Sequence, residues 1–173
     1  MAETQPRQSP ETAIFQVKYE IYQKLEDLLV DDQQLLVAAS WAMEKAYAPY
    51  SGFHVGAALR LRDGSMIVGS NQENASYGLT ICAERSALVS AGSQGHGSDI
   101  VQLAVIGSGA DFNTTEPVLP CGACRQWIKE AEDRAGDPIS IIASGKEGKI
   151  YKFEGISNLL PLGFGPKDLH LGS

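Results

Sequence analysis

Apolar and polar residues alternate along "AIFQVKYEIYQKL", with Phe15, Val17, Tyr19 and Ile21 on one side and Gln16, Lys18 and Glu20 on the other. A period of two predicts a half-buried strand within residues 13–22. From Asp32 the period lengthens. Leu35, Leu36, Ala39, Ala42, Met43 and Ala46 mark one helix face, with Asp31 or Asp32 as the expected N-cap, and "APYSG" ends the helix. "FHVGAALRL" and "SMIVGSN" flank "RDGS", whose Asp63-Gly64 pair predicts a hairpin. "ICAERSALVSAG" reads as an amphipathic helix. At its start Cys82, Glu84 and Arg85 crowd beside Ile81 and Leu88, which are expected to be buried. "IVQLAVIGS" is a near-continuous apolar run, as in a strand covered on both faces.

The loop "GADFNTTEPVLP" leads into a helix over "CGACRQWIKEAEDRAG", closed by Gly136. "PISIIAS" and "KIYKF" are expected strands, and a short helix is expected near Ile156 to Leu160, before "LLPLGFGP". No segment repeats. The order of elements predicts α/β architecture, one sheet with helices on both faces, in a single domain over 13–173.

Composition narrows the function. A net charge of -7 with no run of Lys or Arg argues against a polyanion-binding surface, hence against a nucleic-acid partner. No apolar stretch is long enough to cross a bilayer, so no membrane partner is expected. "MAETQPRQSPET" lacks the apolar core of a signal peptide and reads as a flexible tail over 1–12 in a cytoplasmic protein. Three cysteines, an odd number, do not suggest a disulfide framework.

All three cysteines sit in two short motifs. Cys121 and Cys124, three apart at a helix start, bring their sulfurs to one face within a turn. Cys82 also begins a helix. Helix-start amides and the helix dipole favour thiolate. Three such thiolates suit zinc and leave its fourth position open for water. Other readings stand beside this one. The C-x-x-C could be a redox pair, or the cysteines plain core. A structural zinc could take a histidine from His54, His96 and His170. None of these lies at ligand spacing; His96 and His170 read as solvated and His54 as a strand residue. Glu84 favours the open site, because a carboxylate two residues from a ligand can reach that position without being a ligand.

"CAE" followed by "PCGAC" resembles the zinc nucleobase deaminase signature, with Cys in place of the commoner first His. "AYAPYSGFHVGAAL", "NQENASYGLTICAERSAL", "PCGACRQ" and "LLPLGFGP" resemble the free cytidine deaminases more closely, over roughly Ala38 to Leu169. The resemblance implies a three-layer α/β/α sandwich around a mixed five-stranded sheet, to which the N-terminal strand would add. It implies one zinc per chain on Cys82, Cys121 and Cys124, and hydrolysis of cytidine and 2'-deoxycytidine to the uridines and ammonia in pyrimidine salvage. Glu84 would take a proton from the activated water, pass it to the ring nitrogen and help the amine leave.

In similar three-cysteine members an arginine offsets the thiolate charge, which assigns Arg85 to Cys82 and Cys121. The resemblance further places Asn71 and Glu73 on the sugar hydroxyls and Phe53 near the sugar and base. It puts the Ala83 N–H on the base carbonyl and Tyr77 at the substrate, although "YGLTI" departs from the expected spacing. Phe164 would stack on the base in a neighbouring subunit of a homotetramer with shared sites. A deaminase of a polynucleotide, a modified nucleoside or a nucleoside antibiotic, and a non-catalytic zinc-stabilised module, are the alternative readings.

Overall fold

The computed structural model describes residues 10–169. Residues 1–9 of the expected tail, and His170, lie outside the described residues. Six strands form one mixed sheet: β1 (Glu20–Tyr22), β2 (Phe53–Leu61), β3 (Met66–Ser70), β4 (Ile100–Gly109), β5 (Ser140–Gly145) and β6 (Ile150–Glu154). Their order is β1-β6-β5-β4-β2-β3; β4 and β5 run parallel, and the other neighbours are antiparallel.

Because side chains alternate across a strand, the central strands bury both faces. Ala57, Leu59, Leu103, Val105, Ile141 and Phe153 meet α2 (Ala83–Ser93) and α3 (Gly122–Ala135) on one side. Ala58, Ala104, Ile106 and Ile142 meet α1 (Val30–Met43) on the other. The result is the expected α/β/α sandwich. Among the described residues no helix is long and apolar enough to cross a membrane.

Several local readings change, and the first helix ends at Met43, before Ala46. The helix begins two residues before Asp32, with Leu29 at the N-cap position and no side-chain cap. Asp32 shares a face with Leu35, Leu36 and Ala39 and is buried, 1% exposed. Its carboxylate accepts hydrogen bonds from Gln102 Nε2 at 2.9 Å and from Lys152 Nζ, so the charge is paired rather than stranded. The N-terminal strand also differs. Only Glu20–Tyr22 pair with β6, and Phe15, Val17, Tyr19 and Ile21 remain 43–59% exposed. The chain there runs past the sheet edge, where no helix among the described residues covers it; the Tyr19 ring lies against Tyr151 and Phe153. The short C-terminal helix is a single 3₁₀ turn, Ile156–Asn158.

Chain topology brings the two cysteine motifs together. β3 and β4 both pair antiparallel with β2, so α2 joins two strands of the same direction; α3 does the same between β4 and β5. Such crossovers are right-handed. Both step the same way across the sheet, so both helices fall on the same face with their first turns at the same end. Gly69 sets how closely α2 sits: a Cβ there would lie 2.5 Å from Ala87 N and 2.7 Å from Ala83 O.

Candidate metal centre and active site

Cys82 is the N-cap residue of α2 and Cys121 that of α3, both in extended conformation; Cys124 lies one turn further along α3. Neither thiol caps its helix, so both sulfurs are free to face each other. Cys82 Sγ is 3.9 Å from Cys121 Sγ, which is 3.5 Å from Cys124 Sγ. All three lie within 4.8 Å of one another. Tetrahedral zinc with bonds of about 2.3 Å requires sulfurs about 3.8 Å apart, so the donor set fits this ion.

Cys124 is buried, Cys82 partly so and Cys121 exposed, which leaves the cluster accessible from one side. Among the described residues it is the one group of three or more His, Cys, Asp or Glu side chains placed to hold a metal. His54 lies in β2, and His96 Nδ1 pairs with Asp99 at 3.1 Å; neither joins the cluster.

The Cys82 and Cys124 thiols differ in acidity. Hydrogen bonding from Cys124, and then the Arg85 guanidinium, bring the Cys82 pKa down to about 5. The bond to Cys82 and burial push the Cys124 thiol up. Glu84 follows Cys82 by two residues and is 4% exposed. Burial raises its pKa, and the neighbouring Cys82 charge adds to the rise.

Arg85 Nη2 donates to the Thr80 carbonyl at 2.9 Å and reaches Cys82 Sγ at 3.7 Å. Among the described residues its hydrogen bonds go to Thr80 and Cys82, with none to Cys121, where one was expected. Its Nε is buried without a partner. Ile81, expected inside, is 45% exposed, whereas Leu88 is buried.

The residues expected to bind substrate are placed as follows. Asn71 is buried; its Oδ1 accepts from Val55 N at 2.8 Å and its Nδ2 donates to Phe53 O at 2.9 Å. It therefore fastens the end of β3 to the start of β2. Glu73 accepts from Tyr50 N at 2.9 Å, Ser51 N at 3.3 Å and the Ser51 hydroxyl, holding the "PYSG" turn. The Ser51 hydroxyl, with Tyr50 N, lowers its pKa. Ala83, buried, opens α2, where the first N–H groups have no partner within the helix. Phe53 begins β2 and is partly buried.

Cys82, Ala83, Glu84 and Arg85 are thus grouped with Cys121 and Cys124, and Asn71 is bonded directly to Phe53. Tyr77 and Phe164 stay exposed; their partners are the Tyr50 ring at 5.5 Å and Gln126, not cluster residues. Sequence reasoning overlooked Phe112, whose ring lies 6.4 Å from that of Phe53 and covers Gly109. Its one signal was a lone aromatic in the loop that leads into α3. Arg125 was overlooked as well: it donates to Pro120 O and Leu159 O, both at 2.8 Å.

Comparison with known proteins agrees with this geometry. The family model of the cytidine and deoxycytidylate deaminase zinc-binding region matches residues 29–135. The chain belongs to this family. All three cysteines and Glu84 lie within the matched region, and the cofactor is one zinc ion per chain. The cytidine deaminase of Halalkalibacterium halodurans is 45% identical over 141 residues, 82% of this chain and 99% of that protein. The crystal structure of cytidine deaminase from Burkholderia pseudomallei has a TM-score of 0.68 at 42% identity, covering 76% of this chain and 97% of that one. The Mycobacterium tuberculosis enzyme has a TM-score of 0.61 at 34% identity, covering 79% and 98%.

Proposed function

We propose that this protein deaminates cytidine and 2'-deoxycytidine hydrolytically, releasing ammonia, in pyrimidine salvage. The observation that carries the reading is a buried carboxyl of raised pKa, Glu84, two residues from one sulfur of a three-thiol cluster that fits zinc. When bound to Cys82, Cys121 and Cys124, zinc supplies a Lewis acid that lowers the pKa of a coordinated water to about 7.

Glu84 does the proton work. Its ionised carboxylate removes a proton from the attacking water and delivers it to the ring nitrogen beside the amine-bearing carbon. It then helps protonate the departing amine. One group acts as base and then acid, and a pKa raised by burial suits both roles. Arg85, beside Cys82, offsets the thiolate charge. Ala83 offers its free N–H to the base carbonyl.

Asn71 keeps one N–H and one lone pair beyond its bonds to β2, and Glu73 keeps about one acceptor position; these are left for sugar hydroxyls. Phe53 packs near sugar and base, with Tyr77 at the rim. Phe164, solvent-exposed on its own chain, reaches the base in a neighbouring copy of a homotetramer. A net charge of -7 supports a small-molecule substrate over a polynucleotide, and three unpaired thiols suit the cytoplasm. One domain over 13–173 carries the activity.

Ammonia release from cytidine, deoxycytidine, adenosine and single-stranded DNA, with zinc content measured on the same sample, tests the reading. Zinc-loaded protein active on the first two alone is expected. Turnover of the DNA, or full zinc with no turnover, refutes it.

A further inference from the structure

The segment 159–165, which ends the "NLLPLGFG" motif, is held in an unusual way. Its stem is fixed where Arg125 Nη1 donates to the Leu159 carbonyl at 2.8 Å. Its tip is fixed where Gln126 Nε2 donates to the Phe164 carbonyl at 2.9 Å. Between them Leu162 has φ 57, the only non-glycine residue in the left-handed region among the described residues. That conformation is costly for a leucine and persists only where its surroundings impose it. Beyond the tip, Gly165 lies directly on α3: a Cβ there would be 2.9 Å from Asp133 Oδ2 and 3.1 Å from Lys129 Nζ.

The backbone of this hook is thus bound to α3, with Leu159 in the core and Leu160 packed against it, while Leu162 and Phe164 face outward. Leu162 is 84% exposed and Phe164 55%. An apolar ring held clear of its own core, on a backbone tied down on both sides, is arranged for presentation to something else.

We infer that Gln126 is a positioning residue for nucleoside binding, acting through Phe164. This rests on the proposed stacking of Phe164 on the base. The side-chain amide of Gln126 fixes the peptide that follows Phe164 and so sets the direction of its ring. Without that bond the ring samples several orientations, and the ordering cost falls on substrate binding. Gln126 touches neither the reacting atoms nor the cysteine cluster, so the effect should appear in KM and leave kcat nearly unchanged.

The test uses zinc-loaded protein and compares Gln126→Ala, Phe164→Ala and the double variant for cytidine kinetics, zinc content and thermal midpoint. Phe164→Ala is expected to raise KM about tenfold or more, within the range for base–aromatic stacking. Gln126→Ala should raise it about three- to tenfold, with kcat within twofold, zinc retained and the midpoint little moved. The double variant should match Phe164→Ala alone, since a tether without its ring has nothing to position. Gln126→Glu, isosteric but unable to donate, should behave like Gln126→Ala, and Gln126→Lys, which restores a donor, should recover part of the loss.

An unchanged KM in Gln126→Ala and Gln126→Glu, with KM raised in Phe164→Ala, overturns the positioning role alone. So do effects that multiply in the double variant. An unchanged KM in Phe164→Ala overturns the stacking reading, and the inference with it.

Discussion

Adding one methyl group at Gly69 should damage a site it does not touch. A Cβ at this position would meet Ala87 N at 2.5 Å and Ala83 O at 2.7 Å, both backbone atoms of α2. Ordinary contact begins at about 3.4 Å, so α2 must back away from β3 by about 0.9 Å or β3 must buckle. Overpacking of this kind costs about 1–3 kcal/mol. The functional cost is larger, because the displaced turn carries Cys82, Ala83 and Glu84, while Cys121 and Cys124 stay on α3. A shift near 1 Å in reacting groups can cost about 100-fold. Gly69→Ala should therefore lose about 1–3 kcal/mol in urea denaturation and up to about 100-fold in kcat/KM for cytidine, with weaker zinc retention against a chelator. Gly92→Ala is the control. It lies in the same helix with open space around it, and should be neutral or gain up to about 1 kcal/mol with activity intact. If Gly69→Ala matches Gly92→Ala in stability and activity, the close approach does not set the site's geometry.

Glu84→Gln should keep zinc and nucleoside binding but lose about 10⁴-fold in kcat, at the upper end for one acid–base group; activity within tenfold of the parent would remove Glu84 from the mechanism. The same variant makes a pH prediction for the metal-free protein. A raised pKa means the folded state favours the neutral carboxyl, so that preference is satisfied below the ordinary value of 4.5 and becomes a penalty as pH rises through the folded value. Urea melts should find metal-free Glu84→Gln more stable than the parent at neutral pH, with the gap closing toward pH 4. Cys121→Ala should lose zinc by elemental analysis and turnover with it, and stoichiometric zinc in that variant would exclude Cys121 as a ligand. Asp32→Ala should cost about 3 kcal/mol in chemical denaturation, since it strands Lys152, whose side chain is only 16% exposed.

What was legible in the sequence follows from what repetition encodes. The Asp63-Gly64 hairpin signal beside "FHVGAALRL" and the unbroken apolar run of "IVQLAVIGS" located the central strands, because a tight turn joins antiparallel neighbours and a strand buried on both faces must be apolar throughout. The three-thiol cluster was legible because cysteine is scarce here and its spacing at helix starts has few other uses. Asp32 was misread because a helix-initial aspartate is usually a cap; only the fold places Lys152, 120 residues away, where it can pair with it. Asn71 shows the same limit. Its motif suggested a sugar contact, yet its carboxamide also fastens β3 to β2, a role that depends on a register no local pattern records. The N-terminal alternation was real but promised too much burial, because a period of two reports which residues share a side and not whether anything covers it. The hook at Leu162 left no trace, since its ends are tied by Arg125 and Gln126 from another element.

The two crossovers that bring Cys82 and Cys121 together, 39 residues apart in the chain, also fix when in folding the metal can act. Neither crossover alone presents three sulfurs. Zinc therefore binds tightly only after β3, β4 and β5 are in register and both helices have docked, late on the folding route. Interactions formed after the transition state slow unfolding and leave the folding rate nearly unchanged. Bound zinc thus acts on the lifetime of the folded chain more than on the speed of its formation. In a chevron plot, metal should lower the unfolding limb and leave the refolding limb in place.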